Sequence, residues 1–164
     1  MFREMRRNKQ ALVMEEILVV LQRGKFGVLA LSGDEGYPYA VPVSYAYADG
    51  KIYVHSALEG HKVDSIRGNN KASFCVIDKD EIHPEKYTTY FRSVIAFGRT
   101  RILENEAEKR AALMKIAEKY GPEGDVEGKA KEVDSTLFRT SLIELSIEHL
   151  TGKEAKELKM QKDL

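Results

Sequence analysis

An excess of charge of either sign is the first thing missing. Lys plus Arg and Asp plus Glu both number 26 in 164 residues, so the formal net charge is zero. A surface built to grip nucleic acid leaves a basic imbalance, so no nucleic-acid partner is expected. Cysteine is nearly missing too. Cys75 alone makes neither an internal disulfide nor a thiolate metal cage, and its place in the apolar run ASFCVI reads as a buried core thiol. No stretch approaches the roughly 20 apolar residues of a membrane span. The N-terminal MFREMRRNKQ carries charge where a signal peptide needs an apolar block. These absences lead to an expectation of a soluble, cytoplasmic protein with no membrane contact. There is no G-x-G-x-x-G, P-loop, H-E-x-x-H or G-x-S-x-G. Of the histidines His55, His61, His83 and His149, only the first two are close in sequence. No Cys or carboxylate completes a ligand set around them, so no metal is expected.

What is present begins with an apolar fraction of 43%, enough to build a core. Residues 8–22 read as a helix with Asn8 as N-cap, Ala11, Met14, Leu18 and Leu21 on one face, and Gly24 as its stop. The period then changes. FGVLAL (26–31) reads as a buried strand. YPYAVPVSYAY (37–47) reads as a strand that is either an edge or broken, because Pro38 and Pro42 cannot donate to a ladder. Asp49-Gly50 marks a hairpin into KIYVHS (51–56). A short helix at 60–68 precedes strands at 71–78 and 87–103, the latter with Gly98 as a bulge or close-approach point. A helix follows at 104–121, a loop at 121–128, a strand at 137–150 and a charged tail at 151–164. Six closely spaced strands with peripheral helices predict a mostly β protein, a small antiparallel barrel, over one domain spanning 1–164.

Two segments carry candidate chemistry. HSALEGHK (55–62) leaves a strand, enters a helix, and holds Ser56, His61 and Lys62. Donors near a helix N-terminus beside a cation suit a phosphate, but an ordinary capped strand–helix junction looks the same in sequence. YAVPVSY (39–45) is a proline-interrupted strand whose unpaired backbone groups could face the polar edge of a planar heterocycle, or could be a plain edge strand with a bulge.

In this order, FGVLAL (26–31), GYPYAVPVSYAYADGKIYVHSALEGHK (36–62), NNKASFCV (69–76), EKYTTYFRSVIAFGRTRIL (85–103) and IEHLTGKEA (147–155) resemble the FMN-binding split-barrel family of pyridoxamine 5′-phosphate oxidases, and more narrowly its nitroimidazole-resistance branch. The likeness covers nearly the whole chain. It implies a six-stranded antiparallel split β-barrel, a homodimer, and one FMN at each of two sites shared between subunits. On that resemblance Val41, Pro42, Val43 and Ser44 meet the isoalloxazine. His55, Ser56 and Ala57 line the ribityl chain and phosphate, and His61 and Lys62 hold the phosphate. Ser93 contacts the flavin from the other subunit, with Leu150 and Lys153 closing the site.

Two departures matter. His61-Lys62 stands where the oxidase proper has an Arg-Lys pair, so a titratable group replaces a permanent charge and FMN affinity is expected to fall at alkaline pH. The tail TGKEAKELKMQKDL lacks the basic, aromatic segment that receives pyridoxamine, which argues against vitamin B6 oxidation. The resemblance then implies an oxidoreductase. A reductant such as NAD(P)H charges the flavin, which reduces a small acceptor such as a nitroaromatic compound, and no side chain is assigned as catalytic. A non-catalytic flavin- or haem-binding dimer is the other function it allows.

Overall fold

Strands of period two, each with one buried face, wrap around a shared interior in the computed structural model, which describes residues 2–162. In chain order the elements are α1 (Met14–Arg23), β1 (Phe26–Ser32), β2 (Pro38–Ser44), β3 (Ala46–Ala48), β4 (Lys51–Ser56), α2 (His61–Gly68), β5 (Lys71–His83), β6 (Thr88–Ile102), α3 (Glu106–Tyr120), α4 (Val126–Thr136), β7 (Ser141–Glu154) and α5 (Lys156–Lys162). All strand pairs are antiparallel, in the order β2-β1-β5-β6-β7-β4-β3.

The sheet therefore has seven strands where six were expected. The expected strand 37–47 divides at Tyr45 into β2, which pairs with β1, and β3, which pairs with β4. One residue thus joins the two edges of the sheet and turns it into a barrel with an open seam. Leu29, Phe74, Val76, Val94, Ala96, Ile143 and Leu145 fill the interior, and Ile17, Val20 and Leu21 of α1 plug it. A second apolar layer lies outside β3, β4 and β7, where Leu113 and Ile116 of α3 and Val133 of α4 meet Tyr53 and Leu142.

Several boundaries differ from the sequence expectation, each for a local reason. The N-terminal helix starts at Met14 and not at residue 8; Asn8–Gln10 form only a short 3-10 turn. The intervening residues are held at the end of β7, with Ala11 bridging Lys153 and the Leu12 N–H donating to the Gly152 carbonyl. The buried face of α1 is Ile17, Val20 and Leu21, while Met14 is exposed. Residues 126–136, partly assigned to a loop, form α4, because the Asp125 side chain accepts from the Gly128 N–H and caps it. β7 runs on to Glu154, into the segment expected as tail, since β6 continues opposite it. Cys75 is not a core residue. It lies half-buried on the outer face of β5, between the buried Phe74 and Val76.

Two glycines act as anticipated. Asp49 (φ 50°) and Gly50 (φ 75°) form the left-handed turn of the β3–β4 hairpin. At Gly98 the β6–β7 register shifts, and a Cβ there would lie 2.0 Å from the Ser146 carbonyl oxygen. Only glycine permits that approach.

Two ion-pair chains tie the barrel together. Arg23 of α1 meets Asp78 of β5 at 2.5 Å, and Arg92 of β6 bridges Asp78 (3.2 Å) and Glu154 (3.0 Å). Glu144 of β7 accepts from Lys51 (3.0 Å) and Arg101 (2.9 Å), and Arg101 reaches Glu108 of α3 (2.8 Å). Burial would raise the Asp78 and Glu144 carboxyls, but their cationic partners outweigh it and hold both below the ordinary carboxylate range. A depressed folded-state pKa stabilises fully above the unfolded value, near 4, and the contribution is lost as pH falls through the folded one. Stability is therefore expected to hold from neutral pH down to about pH 5 and to decline as pH falls further. Asp78→Asn should cost about 1.5–3 kcal/mol at neutral pH and flatten that decline, as read from urea unfolding midpoints across the range.

Candidate functional site

The seam is where the backbone is left without partners. β2 ends the sheet, so one of its edges bonds β1 and the other is free. The Gly33 N–H donates to the Tyr37 carbonyl, which sets the phase of the ladder. By antiparallel alternation, Tyr39, Val41 and Val43 bond toward β1, while the backbone groups of Pro38, Ala40, Pro42 and Ser44 face the seam. Pro42, lacking an N–H, thus costs the ladder nothing. The Tyr39, Val41 and Val43 side chains turn inward onto the core, and those of Pro42 and Ser44 are exposed.

At one end of the seam stands the corner. The next β1–β2 rung would join Lys25 to Tyr45. In its place sits the Tyr120 hydroxyl at the end of α3, which accepts from the Tyr45 N–H (2.9 Å) and lies within bonding distance of the Tyr45 carbonyl (2.8 Å) and the Lys25 carbonyl. Tyr45 itself is fully buried, and its hydroxyl donates to the Leu21 carbonyl at 2.8 Å. Burial raises the pKa of both phenols, that of Tyr120 against the opposing hydrogen bonds of Tyr45 and Ser44. The Lys119 ammonium lies 3.9 Å from the centre of the Tyr45 ring, a cation–π contact, and burial lowers its pKa to about 8.

The other end is the entry to α2. β4 and β2 lie against each other across the seam, and the chain leaving β4 places His61 on Tyr39, ring centres 4.0 Å apart. His61 Nε2 is 3.6 Å from the exposed Asp34 carboxylate. Gly60 (φ 122°) is the N-cap, and the Val63 and Asp64 N–H groups bond back to its carbonyl. Burial lowers the Lys62 pKa and no carboxylate offsets it. One turn on, the buried Ser65 hydroxyl has no hydrogen-bond partner among the described residues. A desolvated cation in the first turn of a helix is a group that suits a phosphate.

The ten residues singled out from the sequence fall into three groups. Val41, Pro42, Val43 and Ser44 lie on the edge strand, Pro42 and Ser44 with their backbone groups on its free side, and Ser56, Ala57, His61 and Lys62 lie at the α2 entry beside it. His55 points the other way. Alternation along β4 sends Ile52 and Val54 inward, and Tyr53 and His55 outward beneath α3 and α4. Ser93 lies on the outer face of β6, opposite Ile77 and Lys153. Leu150, opposite Ala96, packs against the core, and the Lys153 ammonium lies 5.0 Å from the Phe91 ring centre. Three strand spacings, about 14 Å of sheet, separate β6 from β2, so one chain does not bring Ser93 to the seam. Sequence reasoning missed Tyr120, Lys119 and Ser65. Nothing local marks them, because their roles come from what packs opposite.

The outer face between β2 and β7 is continuous and largely apolar. Pro42, Val28, Cys75, Ile95 and Thr151 form one row across five strands, and Ala40, Ala30, Ser73, Phe97 and His149 the next. The Phe2 ring stacks on His149 at 4.7 Å. Ile95 is 37% exposed, Ile77 55% and Phe26 61%, an apolar expanse of the kind that marks interaction sites.

Together these features define an antiparallel barrel with an open seam and an anion-competent helix entry at one end of it. The family described as pyridoxamine 5′-phosphate oxidase matches residues 14–154, and the chain belongs to it. Solved structures share the fold. A protein of Bacteroides thetaiotaomicron VPI-5482, provisionally described as a 5-nitroimidazole antibiotic resistance protein, matches with a TM-score of 0.73 at 20% identity, over 88% of this chain and 86% of that one. An FAD-binding protein of Mesorhizobium loti matches at 0.64 and 26%, over 90% and 98%. The FAD and haem binding protein of Mycobacterium smegmatis matches at 0.72 and 18%, over 90% and 74%. No curated protein matches significantly. No helix among the described residues is long and apolar enough to cross a membrane.

Tyr120→Phe removes the hydroxyl that stands in for the rung and leaves the Tyr45 N–H without its acceptor. A loss of about 1–3 kcal/mol in unfolding free energy is expected, measured by urea denaturation.

Proposed function

We propose that this protein binds FMN along the seam of a homodimer and uses it to reduce a small acceptor such as a nitroaromatic compound. The observation that carries the proposal is Lys62, half-buried and without a partner among the described residues, in the first turn of α2, adjoining an edge strand whose backbone groups face outward. Lys62, His61 and Ser56 would hold the phosphate. The free backbone of Pro42 and Ser44 would meet the polar edge of the ring system, leaving Val41 and Val43 to anchor the strand. FMN, when bound, accepts and donates two electrons, and the chain supplies position and charge for that chemistry. Among the described residues no nucleophile with an activating base is needed or invoked.

A second copy supplies what one chain lacks. The apolar rows through Val28, Cys75 and Ile95 are the surface on which two barrels would meet, and such a pairing carries Ser93 and Lys153 of one subunit toward the seam of the other. The FAD and haem binding relative makes haem the competing ligand, and the absorption spectrum of the purified protein separates the two.

The protein is expected to purify yellow and to release FMN on heating. A colourless protein that gains a Soret band with haem, and no flavin, would sink the proposal. Lys62→Ala should weaken FMN binding by about 1.5–3 kcal/mol in a fluorescence titration, and an unchanged affinity would remove Lys62 from the phosphate site. Ile95→Glu places a charge at the centre of the outer face and should yield folded monomers without flavin in sedimentation velocity. Monomers retaining full flavin would rule out a shared site.

A further inference from the structure

A space outside the barrel has no part in the flavin reading. Between α3, the 121–125 loop, α4 and the outer side of β4 lies a cavity of about 440 Å³. That is within the usual range for small-molecule sites. Leu113, Ile116, Ala117 and Val133 make its inner wall apolar. Tyr120 closes the side toward the corner, where its hydroxyl is committed to Tyr45 and Lys25. With β4 and Tyr120 in between, an occupant does not touch a cofactor held at the seam.

The rim carries charge of both signs, from Asp125, Lys129 and Glu132. Asp125 is engaged, its carboxylate accepting from the Gly128 N–H as the cap of α4. Thr136 and Thr140, also at the rim, donate their hydroxyls to the Glu132 and Thr136 carbonyls. Lys129 and Glu132 are different. They stand three residues apart on one helix, a spacing at which opposite charges pair. Neither side chain has an ion pair or hydrogen bond among the described residues, and the ion pair between α3 and α4 is made by Arg110 and Asp134. Lys129 lays its stem over Gly121, where an added Cβ would lie 3.0 Å from Lys129 Cε. One ammonium and one carboxylate are thus available beside an apolar wall.

This combination selects a class of ligand. The wall takes an alkyl or aromatic group out of water. A head bearing only positive charge would suit Glu132 and be repelled by Lys129, and an anionic head would meet the reverse. A head with an ammonium and a carboxylate on one carbon answers both. We infer that this cavity is a second binding site, independent of the seam, for an α-amino acid with a large apolar side chain. Lys129 donates to its carboxylate, Glu132 accepts from its ammonium, and its side chain lies against Leu113, Ile116, Ala117 and Val133. Such an occupant touches both α3 and α4, so it stabilises the folded chain by mass action.

The test is calorimetric titration of the purified protein, with its native cofactor, by L-phenylalanine. Two further probes are 2-phenylethylamine, which lacks the carboxylate, and 3-phenylpropanoate, which lacks the ammonium. L-Phenylalanine should bind about three- to tenfold more tightly than either and should raise the melting temperature. Lys129→Gln should erase its advantage over phenylethylamine, and Glu132→Gln its advantage over phenylpropanoate. Ala117→Leu fills the apolar wall and should weaken binding about tenfold. Folded protein that takes up no L-phenylalanine at millimolar concentration would overturn the inference. So would equal affinity for the three probes, or full-strength binding by folded Ala117→Leu. Should that variant fail to fold, the two surface variants decide. Flavin content is read alongside. Colourless protein that binds the amino acid would sink the flavin proposal and support this one, and flavin-loaded protein indifferent to it would do the opposite.

Discussion

One phenol decides the shape of this molecule. β1 and β2 run together rung by rung until Lys25 and Tyr45, where the Tyr120 hydroxyl takes the place of the next backbone bond. A strand cannot leave its neighbour in a buried setting without stranding an N–H and a carbonyl, at a cost comparable to a lost hydrogen bond each. Tyr120 meets both groups, so the chain can swing at Tyr45 from one edge of the sheet to the other. The buried Tyr45 ring and its bond to Leu21 anchor the turn from inside.

The open seam follows from that corner. Because β2 peels off to become β3, its far edge faces no strand. The two prolines are tolerated there because both fall on the free side of the ladder. β4 returns alongside, delivering the α2 entry with its unpaired Lys62 to the opposite end. A barrel closed all round would hide these groups, whereas a flat sheet would not bring the two stretches together. The ion-pair chains through Asp78 and Glu144 hold the remaining strands and helices around this gap.

The same corner divides two kinds of binding chemistry. On the seam side are backbone edges, a cation and a helix entry, suited to a phosphorylated heterocycle. On the other side is a largely apolar cavity under α3 and α4, edged by His55, Asp125, Lys129 and Glu132. Tyr120 and the strand alternation at His55 and Ser56 supply that separation with no loop devoted to it. The outer sheet face adds a third surface, apolar and broad, suited to a second copy of the chain.

Local chemistry was enough to read much of this from the sequence. Period-two alternation marked the strands, Asp49-Gly50 the hairpin, Gly98 the close approach, and the ordered segments from FGVLAL to IEHLTGKEA the family. Proline in YAVPVSY was enough to say that the strand is an edge or broken. It took packing to show that both are true and that the break falls at Tyr45, because the cause is a hydroxyl 75 residues away. The late start of α1, the turning of His55 away from Ser56, the outward place of Cys75 and the unsatisfied Ser65 were likewise settled by what lies opposite each residue. Propensity and pattern act over a few neighbours, whereas unpaired backbone groups and buried charges are satisfied by whichever group the fold brings within reach.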